Sequence, residues 1–395
     1  MRTALMGGTD RRRLGFYSLS IFVLLVFSKC DSAPDFELNP VFNGTLFECK
    51  VWNAVPGEFG QEIGQTTYAG ENCIYYLTGE AKLMLYSFNG EVDSIRIPPS
   101  IKRRVGIAPG EVIGYCISSD YIWINSPMID SVYKLSIDLS TIEAFHVNIK
   151  NFVKDSDLNK GLGLISCKRH QAKKYGEYIL MPIHQHHTTS GIRDQVPTNY
   201  CTIGMFKQDS KSMKLISEFA PLPSGYYSQN MYFNTSSYNV KGDTVIVNYH
   251  YSDSVDLYYK GNLIRRVEMK SSESAGFSGL QGPSLDIMAV KEHQMQHPRY
   301  LETVYDTYRN LYYRTYLVES KNEQGKIIPH EKWRLLVYDP KLRLVNEFEF
   351  KCMDLSPSTL FIVEEGILFR DFRSFDSKTP ETAKFELLTW EEKEL

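Results

Sequence analysis

The densest group of side chains able to do chemistry is the polar segment at residues 182–194. In an extended strand, His184 and His186 would share one face, so two imidazoles could converge on a metal ion with Asp194 as a third ligand. His187 adds a third ring to the same run. Short histidine runs in loops are more often solvated or capping groups. A structural role is therefore favoured, with ligand binding and then metal binding as the alternatives.

Two further groups carry aromatic or imidazole rings. Tyr226 and Tyr227 could stack on sugar rings, as could residues 249–251, although aromatic side chains in strands are more often core. His293 and His297 have the i, i+4 spacing that aligns side chains on a helix. No glutamate follows the first histidine, so this is not a metalloprotease helix, and we interpret it as structural.

Other common reaction chemistry is absent from the sequence. There is no phosphate-binding Walker loop, no dinucleotide glycine fingerprint and no Gly-x-Ser-x-Gly elbow. The net charge is −3, which argues against a nucleic-acid footprint. We therefore predict no cofactor and no nucleic-acid partner.

Two classes of function stay open. The first is a non-catalytic module that binds a glycan, a peptide or a partner protein. The second is a polysaccharide lyase or hydrolase that uses a His or Tyr as base and Arg193 to neutralise a uronate carboxylate. A dense acid/base constellation is missing, which favours the first class.

These side chains must be positioned by a repeated hairpin, seen most clearly at residues 335–350. An apolar strand ends in an aromatic residue, a tight Asp-Pro turn follows, and the next strand alternates apolar and polar residues. Similar hairpins recur along the chain at intervals of 51, 69, 52, 80 and 51 residues, which indicates a base period near 51, and earlier strands lie between them. Their anchor positions are Tyr86, Ile137, Phe206, Tyr258, Tyr338 and Thr389. Four strands in about 50 residues is the pattern of a propeller blade.

The last hairpin is incomplete, because the chain stops before its partner strand. The unassigned strand at residues 45–52 lies near the other end of the chain. Since an unpaired edge is unfavourable, we predict that the N-terminal strand closes the last blade. The predicted fold is therefore all-β, a six-bladed β-propeller forming one domain over residues 31–395, with five or seven blades and a tandem of sandwich domains as alternatives.

Connection lengths distinguish the two ends of such a propeller. The turns at 89–91, 241–243 and 339–341 are short and emerge at one end. The long connections emerge at the other end. They cover residues 101–112, 150–161, 184–199, 220–230, 271–300 and 320–331. Binding residues concentrate on long loops, so we expect any ligand at that end, near His184, Arg193 and Tyr226.

The first 30 residues have the pattern of an export leader. Arginines at 2 and 11–13 precede an apolar run at 14–27, which is short for a membrane-spanning helix. The sequence before Cys30 resembles a bacterial lipoprotein box, although Lys29 stands where that pattern has a small residue. We predict lipidation at Cys30 and a location in the cell envelope, in the outer membrane or periplasm. The alternatives are cleavage near Ser32 and a permanent membrane anchor.

The remaining six cysteines lie in apolar, strand-like segments without metal-binding spacing. Such residues pack as small hydrophobes. We therefore predict mostly buried free thiols, with three disulfides as the alternative.

A resemblance to a known family rests on the run Tyr-Asp-Thr-Tyr-Arg-Asn-Leu-Tyr-Tyr-Arg at residues 305–314. It is similar to a run in the six-bladed propeller lipoproteins of Bacteroidetes grouped as domain of unknown function 4221. The resemblance implies a fold and an envelope location, but no activity. From the residues themselves we predict structural roles, with Asp306 and Arg309 in a turn and Tyr305, Tyr312 and Arg314 in a hydrogen-bonded corner. Tyr308 and Tyr313 complete the motif.

Overall fold

The structure is a computed structural model. It describes residues 36–50, 63–78, 82–88, 90, 92–100, 114–118, 121–125, 131–149, 158–187, 201–226, 236–279, 287–373 and 382–394. Almost all regular structure in these ranges is β, as the aromatic-rich, alternating sequence predicts.

The strands are short and follow one another along the chain. They are β1 (Phe36–Lys50), β2 (Gly64–Tyr68), β3 (Glu71–Leu77), β4 (Lys82–Ser87), β5 (Val92–Arg96), β6 (Gly114–Ser118), β7 (Tyr121–Asn125), β8 (Ser131–Ser136), β9 (Ile142–Asn148), β10 (Leu158–Leu162), β11 (Lys173–Tyr175), β12 (Tyr178–His187), β13 (Cys201–Gln208), β14 (Ser212–Pro221), β15 (Ser236–Lys241), β16 (Thr244–Tyr249), β17 (Ser254–Tyr259), β18 (Asn262–Glu268), β19 (Arg299–Asp306), β20 (Leu311–Leu317), β21 (Ser320–Lys321), β22 (Ile327–Ile328), β23 (Lys332–Tyr338), β24 (Leu344–Lys351), β25 (Leu355–Ile362), β26 (Ile367–Asp371) and β27 (Thr382–Glu394). Within the described ranges, helix α1 covers Ile287–Gln296.

Four sheets have four antiparallel strands each, in the arrangement of propeller blades. They are β2-β3-β4-β5, β15-β16-β17-β18, β19-β20-β23-β24 and β25-β26-β27-β1. The hairpin at 335–350 is the β23–β24 pair, and Asp339 stabilises its turn. The Asp339 carboxylate accepts hydrogen bonds from the backbone N–H groups of Lys341 and Arg343, both at 2.9 Å. The repeated hairpin is therefore confirmed as the end of a blade.

A nine-stranded sheet contains β6 to β14. Two antiparallel groups, β6–β9 and β10–β14, meet where β9 and β14 pair in parallel over three residue pairs, Ser212–His146 to Lys214–Asn148. The innermost strand of the second group is split. β10 pairs with the end of β12 and β11 with its start, and residues 163–172 lie between them.

The N-terminal strand closes the last sheet, as predicted. β1 pairs antiparallel with β27 from Phe36–Glu394 to Lys50–Thr382. It begins earlier than the sequence pattern predicts, at 36 rather than 45. The chain ends therefore meet within one sheet, and β1 covers the edge that β27 would otherwise expose.

Apolar side chains form clusters between neighbouring sheets. One cluster joins the group around β12–β14 to the β15–β18 sheet through residues such as Phe219 and Tyr258, whose ring centroids are 5.1 Å apart. Another joins the first sheet to the last, with Ile74 and Tyr76 against Phe361 and Phe385. The core therefore runs around the molecule from sheet to sheet.

The two ends of the sheets differ as the connection lengths predict. We call the end with the tight turns at 69–70, 242–243, 260–261 and 340–341 the short-turn face. The opposite end, which carries α1 and the β21–β22 pair, is the long-loop face. Here the structure adds strands where the sequence suggests loops, since β10 and the end of β12 fall within the predicted connections 150–161 and 184–199. None of the helices in the described residues is long and apolar enough to span a membrane.

The described cysteines are free thiols, as predicted. Cys73, Cys116 and Cys167 are buried, while Cys201 and Cys352 are half-buried. Burial raises the pKa of Cys116 and of Cys352 to about 12. Both thiols are therefore protonated and weakly nucleophilic at neutral pH.

Candidate functional site

The histidine run at 184–187 lies on a paired strand rather than in a loop. The backbone of His184 is opposite Gly161 in β10, and that of His186 is opposite Asn159. The side chains of these histidines and of His187, together with Arg193, Asp194 and Tyr227, lie outside the described residues.

Tyr226 is a core residue. Its side chain is 3% exposed, its hydroxyl accepts a hydrogen bond from the backbone N–H of Tyr251 at 2.6 Å, and the two rings make an edge contact at 5.9 Å. Tyr226 therefore holds the connection before β15 in place and offers no open ring to a sugar. This is the core alternative that the sequence left open.

A buried arginine organises the long-loop face. Arg314 of β20 donates from Nε to the Asn248 side chain at 2.8 Å and from Nη2 to the carbonyl of Ser252 at 2.7 Å. Its Nη1 donates to the carbonyls of Asp253 and Met269. One guanidinium thus fixes the loop after β16 and the end of β18. Burial lowers the pKa of Arg314 below its usual value.

His250 ties the same region to β19. Its Nδ1 lies 2.7 Å from the carbonyl oxygen of Tyr300, and the Tyr300 N–H donates to the carbonyl of His250 at 2.8 Å. A carbonyl only accepts, so Nδ1 carries the proton. Burial holds the pKa of His250 well below its ordinary value. The ring is therefore neutral and structural.

The run at 305–314 serves the opposite end of β19 and β20. The buried Asp306 carboxylate accepts from the backbone N–H groups of Tyr308 and Arg309, at 2.9 and 3.1 Å, and from the Tyr313 hydroxyl at 3.1 Å. Arg309 also donates to Asp306 and to the carbonyl of Val363 in the last sheet. The predicted turn with Asp306 and Arg309 is confirmed. The hydrogen bond from Arg309 to Val363 connects its sheet to the last sheet.

Of the predicted hydrogen-bonded corner, the structure shows a ring contact between Tyr305 and Tyr312, while Arg314 bonds elsewhere. The Tyr305 and Tyr312 rings are 4.8 Å apart, and the Tyr305 hydroxyl donates to Asn310 at 2.8 Å. Arg314 bonds toward the long-loop face instead, because the carbonyls that it satisfies lie there. Sequence spacing alone does not reveal those carbonyls.

A pocket of about 410 Å³ opens on the long-loop face beside α1. Ser278 lies on one side of it, and Glu292, His293, Gln296 and His297 lie along the helix. The i, i+4 spacing brings the two imidazoles together, with centroids 4.0 Å apart and planes 22° apart. The volume is within the range of small-molecule sites.

Hydrogen bonds fix the orientation of the two rings. His293 Nε2 lies 3.0 Å from the carbonyl oxygen of Ser278, so Nε2 carries the proton. His297 Nδ1 is 2.9 Å from the Ser278 hydroxyl. Burial and the neighbouring His297 lower the pKa of His293 to about 4, and burial also lowers the pKa of His297. Both rings are therefore neutral at pH 7.

The pocket is rich in hydrogen-bonding groups. Gln296 donates to the Glu292 carboxylate at 3.0 Å, which orders both side chains along the opening. Carboxylate, amide, hydroxyl and neutral imidazole groups suit a hydroxylated ligand. Within the described ranges, no group of three His, Cys, Asp or Glu side chains is placed to hold a metal ion.

His330 supports the pocket from below. Its Nδ1 lies 2.7 Å from the carbonyl oxygen of Val318, and its backbone N–H donates to the carbonyl of Met295 in α1 at 3.0 Å. Burial lowers the pKa of His330 to about 4. Sequence reasoning missed His330, because nothing in its local sequence indicates that it forms a hydrogen bond to α1.

A buried ion pair between sheets is a second feature that sequence reasoning missed. Lys168, between β10 and β11, places its Nζ 2.8 Å from a carboxylate oxygen of Glu302 in β19, without the alignment of a hydrogen bond. The same Nζ is 5.4 Å from the ring centroid of Phe361 in β25. Both charged side chains are nearly buried, at 11% and 5% exposure. This ion pair connects three sheets.

The fold and the pocket define a class, an all-β protein with a propeller-like arrangement of four-stranded sheets. Residues 192–349 match the model of a family described as a domain of unknown function, DUF4221. This range includes the run at 305–314 and confirms the predicted resemblance for these residues. No curated protein sequence matches the chain.

One solved structure supports the fold. A DUF4221 family member from Bacteroides vulgatus is similar, with a TM-score of 0.67 and 15% identity over 91% of this chain and 100% of that chain. A luciferin-regenerating enzyme gives a TM-score of 0.42 at 10% identity, covering 89% of this chain and 95% of that one. A virginiamycin B lyase from Staphylococcus aureus gives 0.38 at 10% identity, covering 89% and 99%. The last two similarities are too weak to carry an argument.

Proposed function

We propose that this protein is a non-catalytic binding module of the cell envelope that holds a glycan on its long-loop face. The observation that carries the proposal is the pocket beside α1, where two neutral, stacked imidazoles face a carboxylate and an amide. A peptide or protein partner would use the same face. Other proposed contributors are His184, His186 and His187 at the end of β12, and Arg193 and Asp194 in the connection after it.

The low pKa of His293 makes this ring a weak base at neutral pH, which favours binding over proton transfer. His293 is held with its Nε2 proton on a carbonyl oxygen, and the pKa of about 4 keeps it uncharged. An enzyme that cleaves a polysaccharide needs a base aimed at the substrate and an acid for the leaving group. In the lyase or hydrolase alternative, Arg193 would neutralise the uronate carboxylate and a His or Tyr would be the base.

We also infer six blades. The nine-stranded sheet divides naturally at the β9–β14 contact, because the two antiparallel groups on either side are joined there by only three parallel residue pairs. Each group then resembles one of the four-stranded sheets. Apolar clusters between consecutive sheets, and between the last and the first, support a closed ring. On this reading residues 31–395 form one domain of the Bacteroidetes lipoprotein type.

Export and anchoring at Cys30 complete the proposal. The leader pattern at residues 1–30 and the lipoprotein-like sequence before Cys30 support it. If Cys30 carries the lipid, Cys30→Ala should move the protein from the membrane fraction to the soluble fraction. Unchanged fractionation would rule out lipidation.

A glycan array followed by calorimetry tests the binding site. His297→Ala should weaken the binding of the highest-affinity glycan by about tenfold or more. A lost hydrogen bond is worth about 0.5–1.5 kcal/mol, and the stacked ring is lost as well. The matched control is Met288→Ala, on the same helix, 70% exposed and outside the pocket lining. Equal losses in both variants, or no bound glycan at all, would contradict the proposal.

Two additional measurements separate the alternatives. Arg193→Ala should weaken the binding of an acidic glycan by about 1.5–3 kcal/mol, the usual value for a charge-assisted hydrogen bond. The binding of a neutral glycan should be unaffected. Product formation from the bound glycan would identify an enzyme. Zinc in the purified protein, lost when His184, His186 and His187 are all changed to Ala, would identify a metal site.

A further inference from the structure

The turn between β17 and β18 presents apolar side chains to solvent on the short-turn face. Tyr259 is 41% exposed, Leu263 52% and Ile264 60%. Single exposed apolar residues are common on protein surfaces, but a group of three is more typical of an interaction site. We call residues 259–265 the β17–β18 tip.

The charged residues within the β17–β18 tip are all cationic. Lys260 and Arg265 are exposed, and residues 259–266 include no acidic residue. Arg266, the next cation, is bound by Asp256 at 2.7 Å. The Lys260 ammonium lies 5.3 Å from the Tyr259 ring centroid. Apolar side chains flanked by long cationic ones are typical of surfaces that enter the headgroup region of an anionic membrane.

The N-terminal strand starts on the same face. β27 runs from the long connection after β26 toward the short-turn face, and its last residues pair with the first residues of β1, Phe36 with Glu394. Cys30 lies six residues before Phe36. A fully extended chain of that length reaches about 20 Å. An anchor at Cys30 would therefore keep the short-turn face close to the bilayer.

We propose that the short-turn face faces the membrane and that the β17–β18 tip is a second contact, with the anionic phospholipid surface. This orientation rests on the proposed anchor at Cys30 and leaves the long-loop face turned away from the bilayer, where the proposed glycan site is accessible. A second copy of the chain fits less well. Pairing two tips would bring Lys260 and Arg265 against their own equivalents.

The contact is local. Glu177, Asp209 and Asp243 lie at neighbouring turns of the same face and repel anionic headgroups. A face lying flat on the membrane would press these carboxylates against the lipid. The molecule therefore contacts the membrane at the β17–β18 tip, while the chain before Phe36 tethers the β25-β26-β27-β1 sheet.

The test uses the full chain reconstituted into vesicles of phosphatidylcholine, with or without phosphatidylglycerol. An environment-sensitive fluorophore is attached at Ile264→Cys. The matched control is Ile142→Cys, 42% exposed and also directly after a turn of the short-turn face, but beside Asp138 and Glu143. Met295→Cys, 38% exposed on α1, reports on the long-loop face. The unsubstituted chain corrects for labelling of its own thiols.

With phosphatidylglycerol, the label at 264 should shift to shorter emission wavelength and become protected from a soluble quencher. Labels at 142 and 295 should stay accessible. Lys260→Glu combined with Arg265→Glu should abolish the protection at 264, since each cation contributes about fivefold to binding at an anionic surface.

Three results would overturn the proposal. They are an accessible label at 264 in vesicles that retain the chain, protection at 295 instead of 264, and protection at 264 in detergent without lipid, which would indicate self-association. None of them depends on glycan binding, which is measured on the opposite face. Failure of the anchor appears separately, in the fractionation of Cys30→Ala.

Discussion

The guanidinium carbon of Arg314 lies 3.5 Å from the centroid of the Tyr300 ring, and both side chains are fully buried. Tyr300 completes the contact by donating its hydroxyl hydrogen to Asp253 at 2.8 Å and accepting from the N–H of Ser271 at 3.0 Å. The pair therefore holds the loop after β16 and the segment that leads to α1.

Arg314→Lys should strongly destabilise the protein, although it keeps the charge. Lysine has no planar fork, so it can neither stack on Tyr300 nor reach all the acceptors that Arg314 satisfies. Hydrogen bonds to charged groups are worth about 1.5–3 kcal/mol each, so we expect a loss of at least about 3 kcal/mol in the free energy of unfolding, measured with urea. Arg265→Lys, on an exposed strand position, is the control. Equal stability of the two variants would contradict this role for Arg314.

The hairpins could be predicted because their information is local. Asp339 and the alternation after it specify a turn and a half-buried strand within a few residues. The same logic located the end of β19 at Asp306. The split inner strand around residues 163–172 could not be predicted in this way, since its conformation depends on contacts of Lys168 with β19 and β25, distant in sequence.

The candidate site was predicted less well than the fold. The described pocket lies among the long connections, on the face where the sequence predicts a ligand. The sequence pointed to His184 and Tyr226 as ligand-binding residues. The pocket is instead lined by His293 and His297, which we interpreted from the sequence as structural. Their role depends on Ser278, which binds both rings from another segment. A spacing of four residues indicates that two side chains are neighbours on a helix, but not what faces them.

Removal of residues 36–50 should greatly lower the melting temperature or prevent folding. β1 pairs along the full length of β27, and each apolar side chain that loses its burial costs about 1.5–3 kcal/mol. Removal of residues 31–35 alone is the control and should leave melting unchanged. Similar melting of both truncated proteins, measured by circular dichroism, would show that closure by β1 contributes little.

Acid should destabilise the long-loop face through its buried histidines. The pKa values of His293 and His330 are about 4 in the folded protein and about 6.5 when unfolded. Between these values the unfolded chain binds more protons, so the free energy of unfolding falls as the pH drops from about 6.5 to 4. Urea titrations across this range measure the slope.

A double variant isolates these two rings. His293→Gln and His330→Asn place an amide N–H near the position of the protonated ring nitrogen in each case, and neither side chain titrates. The variant should therefore have a shallower pH dependence than the native protein while keeping most of its stability at pH 7. An unchanged slope would assign the acid sensitivity to other groups.

The ion pair of Lys168 and Glu302 allows a test of whether two buried charges stabilise the contact between their sheets. Burial lowers the pKa of Lys168, although Glu302 acts in the opposite direction. Removing one partner leaves an uncompensated buried charge, so Lys168→Met or Glu302→Gln alone should cost about 3–5 kcal/mol. Lys168→Met combined with Glu302→Gln removes both charges and should cost clearly less than the sum of the two single losses. The exposed pair of Lys207 and Glu177, at 2.9 Å, is the matched control and should show no measurable coupling, since solvent screens it. Additive losses in the free energy of urea unfolding would mean that the charges of Lys168 and Glu302 do not stabilise each other. Residues 163–172 would then be held in place by apolar packing alone.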